Sequence, residues 1–413
     1  MSNVQSTKKS PQIRFKGFEE KWEDGTIDKY GSFYYGRSCP KWSVSYDAPT
    51  PCIRYGEMYS KYGEKIEEVI SHTNMPTDNL RFSTGKEVLV PRVGEDPMDY
   101  AHCTWLSVPN VAIGEMISVY NTEQHPGFTA IMFNATLRYE FARRVEGFTV
   151  TNLYYDKIKE IEVSFPTLNE QTKIYQLFSQ IDSLIASTQK EHDKLVTLKK
   201  CMLKKMFPKK GSLVPEIRFK GFSGDWKEKK FSEIGTVKSG YAFQSENFEE
   251  QGIPVIRITN IKDGFISFEE IVKHKEFKID NDFIAEKGDV LLAMSGATTG
   301  KIGVYDRNEI SYINQRVGKF IFYDEKTCKY FFKTLFDTEF FMEQVIGSVA
   351  TGAQPNIGTG NVENMIFTIP TSNEEQQKIG SYFQNLDNLI SKQSAELEKL
   401  KNIKKTLLSK MFV

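Results

Sequence analysis

Apolar residues recur at steps of three and four along two stretches of the chain. In the first they fall at Ile174, Phe178, Ile181, Ile185, Leu195, Leu198, Met202 and Met206, with Thr188 and His192 filling the gaps. In the second they fall at Ile379, Phe383, Leu386, Ile390, Leu397, Leu400, Ile403, Leu407 and Met411, with Gln393 filling the gap. This is the period of a helix seam. No Pro or Gly interrupts 170–207, and Gly380 sits only in the opening turn of the second stretch. Each predicted helix has about 38 residues, roughly 57 Å at 1.5 Å per residue. Asn169 and Asn373 or Ser372 are N-cap candidates, and Pro208 ends the first helix. The helices either pair with each other or pack on their own domains; their matched length and period favour pairing.

Elsewhere the pattern shortens to β-rich runs broken by Gly or Asn: Thr50–Tyr55, Glu87–Val90, Pro254–Thr259, Asp289–Met294 and Lys301–Tyr305. Residues 330–346 read as one helix, with Phe331, Phe332, Leu335, Phe336 and Phe340 as core. Two mixed α/β modules are predicted, each followed by a long helix.

The modules are copies of one plan. Pro11-Gln-Ile-Arg-Phe-Lys-Gly-Phe18, then Trp22, returns as Pro215-Glu-Ile-Arg-Phe-Lys-Gly-Phe222, then Trp226. Val88-Leu89-Val90 matches Val290-Leu291-Leu292, and Glu170-Gln171 matches Glu375-Gln376. Asp182 matches Asp387, and Lys205-Met206-Phe207 matches Lys410-Met411-Phe412. The helices have stayed alike while the modules have diverged, so the helices do one job twice and the modules do related but different jobs.

Composition narrows the chemistry. Fifty-four basic and fifty-four acidic residues cancel, so any affinity for nucleic acid must come from local patches. Five cysteines are scattered with no C-x-x-C pair, and five histidines form no ligand-spaced cluster, which gives no support to a zinc or redox site. MSNVQSTKKS at the start lacks a signal-peptide core, and no apolar run is long enough to cross a membrane. A cytoplasmic protein without membrane contact is expected.

Catalytic motifs are missing. Gly296-Ala-Thr-Thr-Gly300-Lys301 has three residues between its glycines where a phosphate loop needs four, and Ile302 stands where the magnesium-holding hydroxyl belongs. Asp96-Pro-Met-Asp-Tyr100 lacks the second proline of an amino-methyltransferase loop, and no Gly-rich nucleotide loop follows a strand. Polar and basic residues do cluster beside predicted strand ends. In module two these are Lys238, Gln244, Arg257, Asn260, Ser295, Thr298, Thr299, Lys301, Asn314, Gln315, Arg316, Gln354 and Asn356. Their counterparts in module one are Arg54, Lys86, Arg92, Thr151 and Asn152. Asn and Gln suit adenine, Arg suits guanine, and Lys suits phosphate. Ordinary polar turns are the alternative for any one of them.

The whole pattern resembles the specificity (S) subunit of type I restriction–modification systems. The resemblance rests on the two P-x-I-R-F-K-G-F module starts, the run Gly288–Lys301, Thr351-Gly-Ala-Gln-Pro-Asn356, and the N-E-Q helix openings, over residues 11–413. It implies two target-recognition domains, with the long helices as spacers between them; because a duplicated chain can mimic a symmetric dimer, the expected fold is an α+β chain whose two long helices pair as an antiparallel coiled coil. Each domain would read one half of a bipartite site on double-stranded DNA. Two methyltransferase (modification) subunits would dock on the helices, and restriction/translocase subunits would join them. No cofactor would be bound by this chain; S-adenosylmethionine, ATP and Mg would belong to the partners. The expected segments are 1–10 disordered, 11–168 recognition domain one, 169–207 spacer helix, 208–214 linker, 215–371 recognition domain two and 372–413 C-terminal helix. Val150-Thr-Asn152 stands where module two has Gln354-Pro-Asn356, and Pro91-Arg92-Val93-Gly94 replaces Ala293-Met-Ser-Gly296. The other readings are a free-standing DNA-modifying enzyme and a coiled-coil adaptor that binds no nucleic acid.

Pairing is expected along Ile174, Phe178, Ile181, Ile185, Thr188 and Leu195 in one helix and Ile379, Phe383, Leu386, Ile390, Gln393 and Leu397 in the other. Thr188 and Gln393 occupy equivalent steps, which predicts one polar layer that fixes the register.

Overall fold

The computed structural model describes residues 11–37, 39–262, 264–324, 326–348 and 355–413. The expected disordered segment 1–10 lies outside them. The chain forms two units. One runs through Thr188 and takes in Glu396–Val413; the other is Gln189–Ala395. Each unit therefore holds one module, part of the helix that follows it, and part of the other long helix.

In the first unit a five-stranded sheet has the order Gly31–Tyr35, Ile117–Thr122, Glu87–Pro91, Thr104–Leu106, Lys65–Ile66. The first four strands are antiparallel neighbours and the last joins parallel. A second sheet has the order Ser71–Thr73, Thr50–Ile53, Pro109–Ile113, Phe82–Thr84. Unit two repeats both. Its main sheet is Gly235–Ser239, Val317–Phe322, Val290–Ala293, Ile302–Val304, Gly264–Phe265, with the same strand directions. Its second sheet is Phe248–Glu249, Val272–His274, Ile253–Ile256, Ser311–Ile313, Ile284–Ala285, one edge strand richer.

The central strands are apolar without alternation because both their faces are covered. Val88 and Val90 face a core shared with Phe128, Phe133 and Phe178, while Leu89 faces the second sheet at Ile53 and Ile113. Val290 and Leu292 repeat the first environment and Leu291 the second.

The long helices are Leu168–Met206 and Asn373–Met411. The first starts ahead of the expected Asn169 cap. Its Gln171 amide bonds the Thr167 carbonyl at 3.0 Å, and Ser372 takes the matching place before the second helix. The predicted helix over 330–346 is two helices, Lys329–Phe336 and Glu339–Ser348. Thr338 breaks it: its hydroxyl donates to the Leu335 carbonyl at 2.6 Å and accepts from the Phe341 amide at 3.4 Å, starting a new helix.

The repeated motifs form a clasp in each unit. Arg14 makes two bonds to the Glu170 carboxylate, 2.7 and 2.8 Å, and Arg218 makes two to Glu375, 2.6 and 2.8 Å. Both glutamates are fully or almost fully buried. Lys173 sits over the Phe18 ring at 5.0 Å, and Lys378 over Phe222 at 4.9 Å. The Ile13 amide bonds the Lys410 carbonyl (3.0 Å), as the Ile217 amide bonds that of Lys205 (2.8 Å). The Met-Phe helix ends then enter the module cores. Phe412 lies 5.5 Å from Phe128 and 5.8 Å from Phe178, and Phe207 lies 5.8 Å from Phe331 and 6.0 Å from Phe383.

Within each unit the start of one long helix runs beside the end of the other, so the pairing is antiparallel. Ile174, Phe178, Ile181, Ile379, Phe383, Leu386 and Leu397 are buried, while Ile185, Thr188, Leu195, Ile390 and Gln393 are half-buried. Leu198 and Ile403, expected in the seam, point outward at 38% and 40% exposure. Their places go to Lys199 and Lys404. Lys404 bonds Asp182 (2.7 Å) and Glu64 (3.1 Å); Lys199 bonds Asp387 (2.7 Å) and Asp337 (3.0 Å). Counted from these pairs, Thr188 comes level with Glu398 within its unit and Gln393 level with Asp193 within the other.

Candidate nucleic-acid interface

In module two, five loops converge at one end of the sheets. The Asn314 amide bonds the Ile256 carbonyl (3.0 Å), which brings the turn after Ser311–Ile313 against Arg257. The Met294 amide bonds the Arg316 carbonyl (3.0 Å), and the Tyr241 amide bonds that of Ile313 (2.7 Å). The Gly296 amide reaches Pro355 and the Ile357 amide reaches Met294, so Asn356 lies beside Ser295. The Thr298 hydroxyl donates to the Ile258 carbonyl (3.1 Å) and that of Thr299 to Gly296 (2.7 Å). The amide–carbonyl bonds use the loops' backbone groups internally, and the Thr298 and Thr299 hydroxyls are given to backbone carbonyls as well, so the remaining side chains form the surface.

Gln315, Arg316 and Asn356 are exposed on this surface, with Arg257, Ser295, Thr298, Thr299, Lys301 and Asn314 half-buried among them. The Asn314 side chain accepts from the Arg316 amide (3.4 Å), an Asx-type turn that leaves Gln315 and Arg316 pointing outward. The Arg257 guanidinium is tethered to the Glu270 carbonyl (3.4 Å). Lys238, 3.8 Å from Asp282, and Gln244 are exposed on the neighbouring segment. Gln354 lies outside the described residues. Asn260 is a correction: it is 2% exposed, accepts from the Arg257 amide (3.0 Å) and donates to the Ser267 carbonyl (3.2 Å). It holds the turn from inside, with no amide group left for a base.

Module one repeats the scaffold. The Gly114 amide bonds the Ile53 carbonyl (2.9 Å), the Arg92 amide that of Met116 (3.2 Å), and the Leu153 amide that of Arg92 (2.8 Å). Asn152 pairs with Val93 as Asn356 pairs with Ser295. Glu57, accepting from the Arg54 amide (3.1 Å), does the work of Asn260. Arg92 lies between the Tyr35 and Tyr154 rings, 4.5 and 5.2 Å from their centroids, which orients it and covers much of its surface. Arg54 and Asn152 are half-buried at the same strand ends. Thr151 is a second correction: it is 4% exposed, and its hydroxyl donates to the Gly94 carbonyl (3.0 Å). Lys86 is exposed but precedes Glu87–Pro91, whereas Arg92 follows it, so a strand of roughly 17 Å separates them.

Two residues at these strand ends escaped the sequence reading, Arg37 and Tyr241. Their only local signal is a preceding glycine. Among the described residues no three His, Cys, Asp or Glu side chains are grouped to hold a metal ion, and no helix is long and apolar enough to cross a membrane.

A family model described as "Type I restriction modification DNA specificity domain" matches residues 107–197 and 223–402. The chain is 30% identical over 265 residues to the type I restriction enzyme MjaVIII specificity subunit of Methanocaldococcus jannaschii, a stretch covering 61% of each protein. It is 24% identical to the MjaIX specificity subunit of the same organism, over 68% of this chain and 66% of that one. The chain thus spans slightly less than two thirds of the length of these curated relatives. Its fold matches the crystal structure of a type I restriction–modification system S subunit from M. genitalium with a TM-score of 0.66 at 16% identity, covering 98% of this chain and 99% of that one. A second solved structure, titled for complex assembly and conformational transition of the type I R-M system, matches with a TM-score of 0.51 at 14% identity, covering 96% and 98%.

Proposed function

Because the chain belongs to the family of type I restriction modification DNA specificity domains, we propose that each module reads one half of a bipartite site on double-stranded DNA. One observation carries this reading. Both modules build the same loop scaffold at the same strand ends and keep Arg54 and Arg257, and Asn152 and Asn356, at equivalent places, yet fill the positions between them differently: Arg92 stands where the other has Met294, and Gly114, Glu115 and Met116 stand where it has Asn314, Gln315 and Arg316. A fixed scaffold with variable polar tips is what reading two different half-sites requires.

The paired helices set the gap between the half-sites and carry two methyltransferase subunits, to which restriction/translocase subunits bind. The chain performs no chemical step. S-adenosylmethionine, ATP and Mg serve the partners, and the assembly works in the cytoplasm. The missing sequence motifs support this division of labour.

The test exchanges residues 1–165 for the corresponding module of another such chain. The chimera, assembled with its methyltransferase partners, then modifies a library of DNA with randomised half-sites. Sequencing should find one half-site replaced and the other kept. A change in both halves would refute independent reading, and methyl transfer by the purified chain alone would refute its non-catalytic role.

A further inference from the structure

Equivalent positions in the two modules carry Arg37 and Tyr241, and both are held by the same backbone device. The preceding glycine is jammed against the neighbouring strand. A Cβ on Gly36 would come within 2.1 Å of the Gly114 carbonyl oxygen, and one on Gly240 within 2.0 Å of that of Ile313. No side chain fits there, so the chain passes close and the next residue is fixed by its own amide. The Arg37 amide bonds the Ile113 carbonyl at 2.9 Å, and the Tyr241 amide bonds the Ile313 carbonyl at 2.7 Å. Arg37 is thereby bridged to Gly114, next to Arg54, and Tyr241 to Asn314, next to Gln315 and Arg316.

Both side chains are exposed and both are braced. Tyr241 is 41% exposed, and its ring rests on Phe243, Phe277 and Phe283 with centroids 5.0, 5.8 and 5.8 Å away. Arg37 gives one N–H to the Asp78 carbonyl at 3.1 Å and, among the described residues, keeps the other four. Bracing removes rotamer freedom before any ligand arrives, which lowers the entropy cost of contact. A residue with a structural role at so constrained a position would keep its chemical type in both copies. Here the type changes from cationic to aromatic while the backbone stays the same.

Resting on the DNA-reading function above, we propose that residues 37 and 241 are specificity-determining positions, one per half-site. Arg37 reads a guanine through O6 and N7, and the Tyr241 ring packs on a thymine methyl group. Neither depends on the polar loop residues singled out from the sequence.

The experiment uses the full chain with its methyltransferase partners and a DNA library randomised in both half-sites. Arg37→Ala should lower discrimination at one base pair of the first half-site by about 5- to 150-fold and leave the second half-site unchanged. Tyr241→Arg should move the preference at one base pair of the second half-site from thymine to guanine. Tyr241→Phe, which keeps the ring, should preserve the wild-type profile. Unchanged profiles in Arg37→Ala and Tyr241→Arg would overturn the proposal, as would a uniform loss over all sequences. A wild-type complex that methylates without half-site preference would instead overturn the DNA-reading function itself, before any variant is compared.

Discussion

Replacing Asp387 with Asn should destabilise the second unit far more than replacing its duplicate, Asp182, destabilises the first. Asp387 accepts from Lys333 (2.6 Å), Lys199 (2.7 Å) and the Tyr330 hydroxyl (2.8 Å). The Lys333 side chain is only 1% exposed, and without Asp387 it would share Asp337 with Lys199. Removing one partner from a buried pair costs about 3–5 kcal/mol, because the remaining charge stays buried. In a unit of this size each kcal/mol lowers the melting temperature by about 2–4 °C, so the expected drop is roughly 6–20 °C. Asp182 is 38% exposed and bonds Lys404, which keeps Glu64 when Asp182 is gone. Its substitution should cost about 0–1 kcal/mol. Calorimetry of the full chain measures both. Burial pushes the Asp387 carboxyl up, but Lys333 and Lys199 outweigh it and hold it below its ordinary value. A depressed carboxylate contributes fully above the unfolded value, near pH 4, and its contribution fades as pH falls through the folded one. Burial likewise opposes the charge on Lys199, yet Asp337 and Asp387 raise its pKa above 10.5. Its contribution is full below that value and is lost as pH rises through the folded one. The penalty of Asp387→Asn should therefore be flat across neutral pH and shrink in acid. Equal costs for the two substitutions, or a penalty undiminished at pH 2, would refute the reasoning.

Three further outcomes are expected. Arg218→Leu strands the Glu375 carboxylate, 1% exposed, and should lower the stability of unit two by about 3 kcal/mol; Arg218→Lys, which keeps the charge but lacks the planar fork of two parallel N–H groups, should recover only part of this in urea titrations. Arg316→Ala should relax base preference at one position of one half-site by about 1–3 kcal/mol, read as relative methylation rates. Deleting one turn from each long helix removes about 5.4 Å of rise, against 3.4 Å per base pair; the preferred gap should shorten by one to two base pairs while the half-site bases persist, and an unaltered gap would contradict a ruler.

Much of the architecture was legible because period and repetition are local properties. The long helices, the central strands Val88–Val90 and Val290–Leu292, and the equivalence of Asn152 with Asn356 all follow from short patterns. Part of what escaped depends on partners far away in sequence. Lys199 and Lys404 displace Leu198 and Ile403 from the seam because carboxylates wait across from them, and a lysine's partner is invisible in its own helix. Thr338 splits a helix by bonding locally, a role that an apolar periodicity cannot reveal. Asn260 and Thr151 have the chemistry of base readers but were turned inward to satisfy backbone groups. Arg14 and Glu170, conspicuous as repeat markers, meet across 156 residues, so their motifs mark the ends of one clasp.

Each unit is completed by a helix end from the other half of the duplication: Met411 and Phe412 in one, Met206 and Phe207 in the other. A polypeptide with a single module and a single helix could not fill its own socket, since about 58 Å of rigid helix carries the plug away from it. Two such chains could fill each other's, giving a symmetric dimer with identical halves. If the modules read DNA as proposed, such a dimer would be confined to palindromes, because every change in one half would appear in both. Fusing the copies end to end removes this confinement. Mutations then fall on one module at a time, and an asymmetric target becomes reachable by single substitutions.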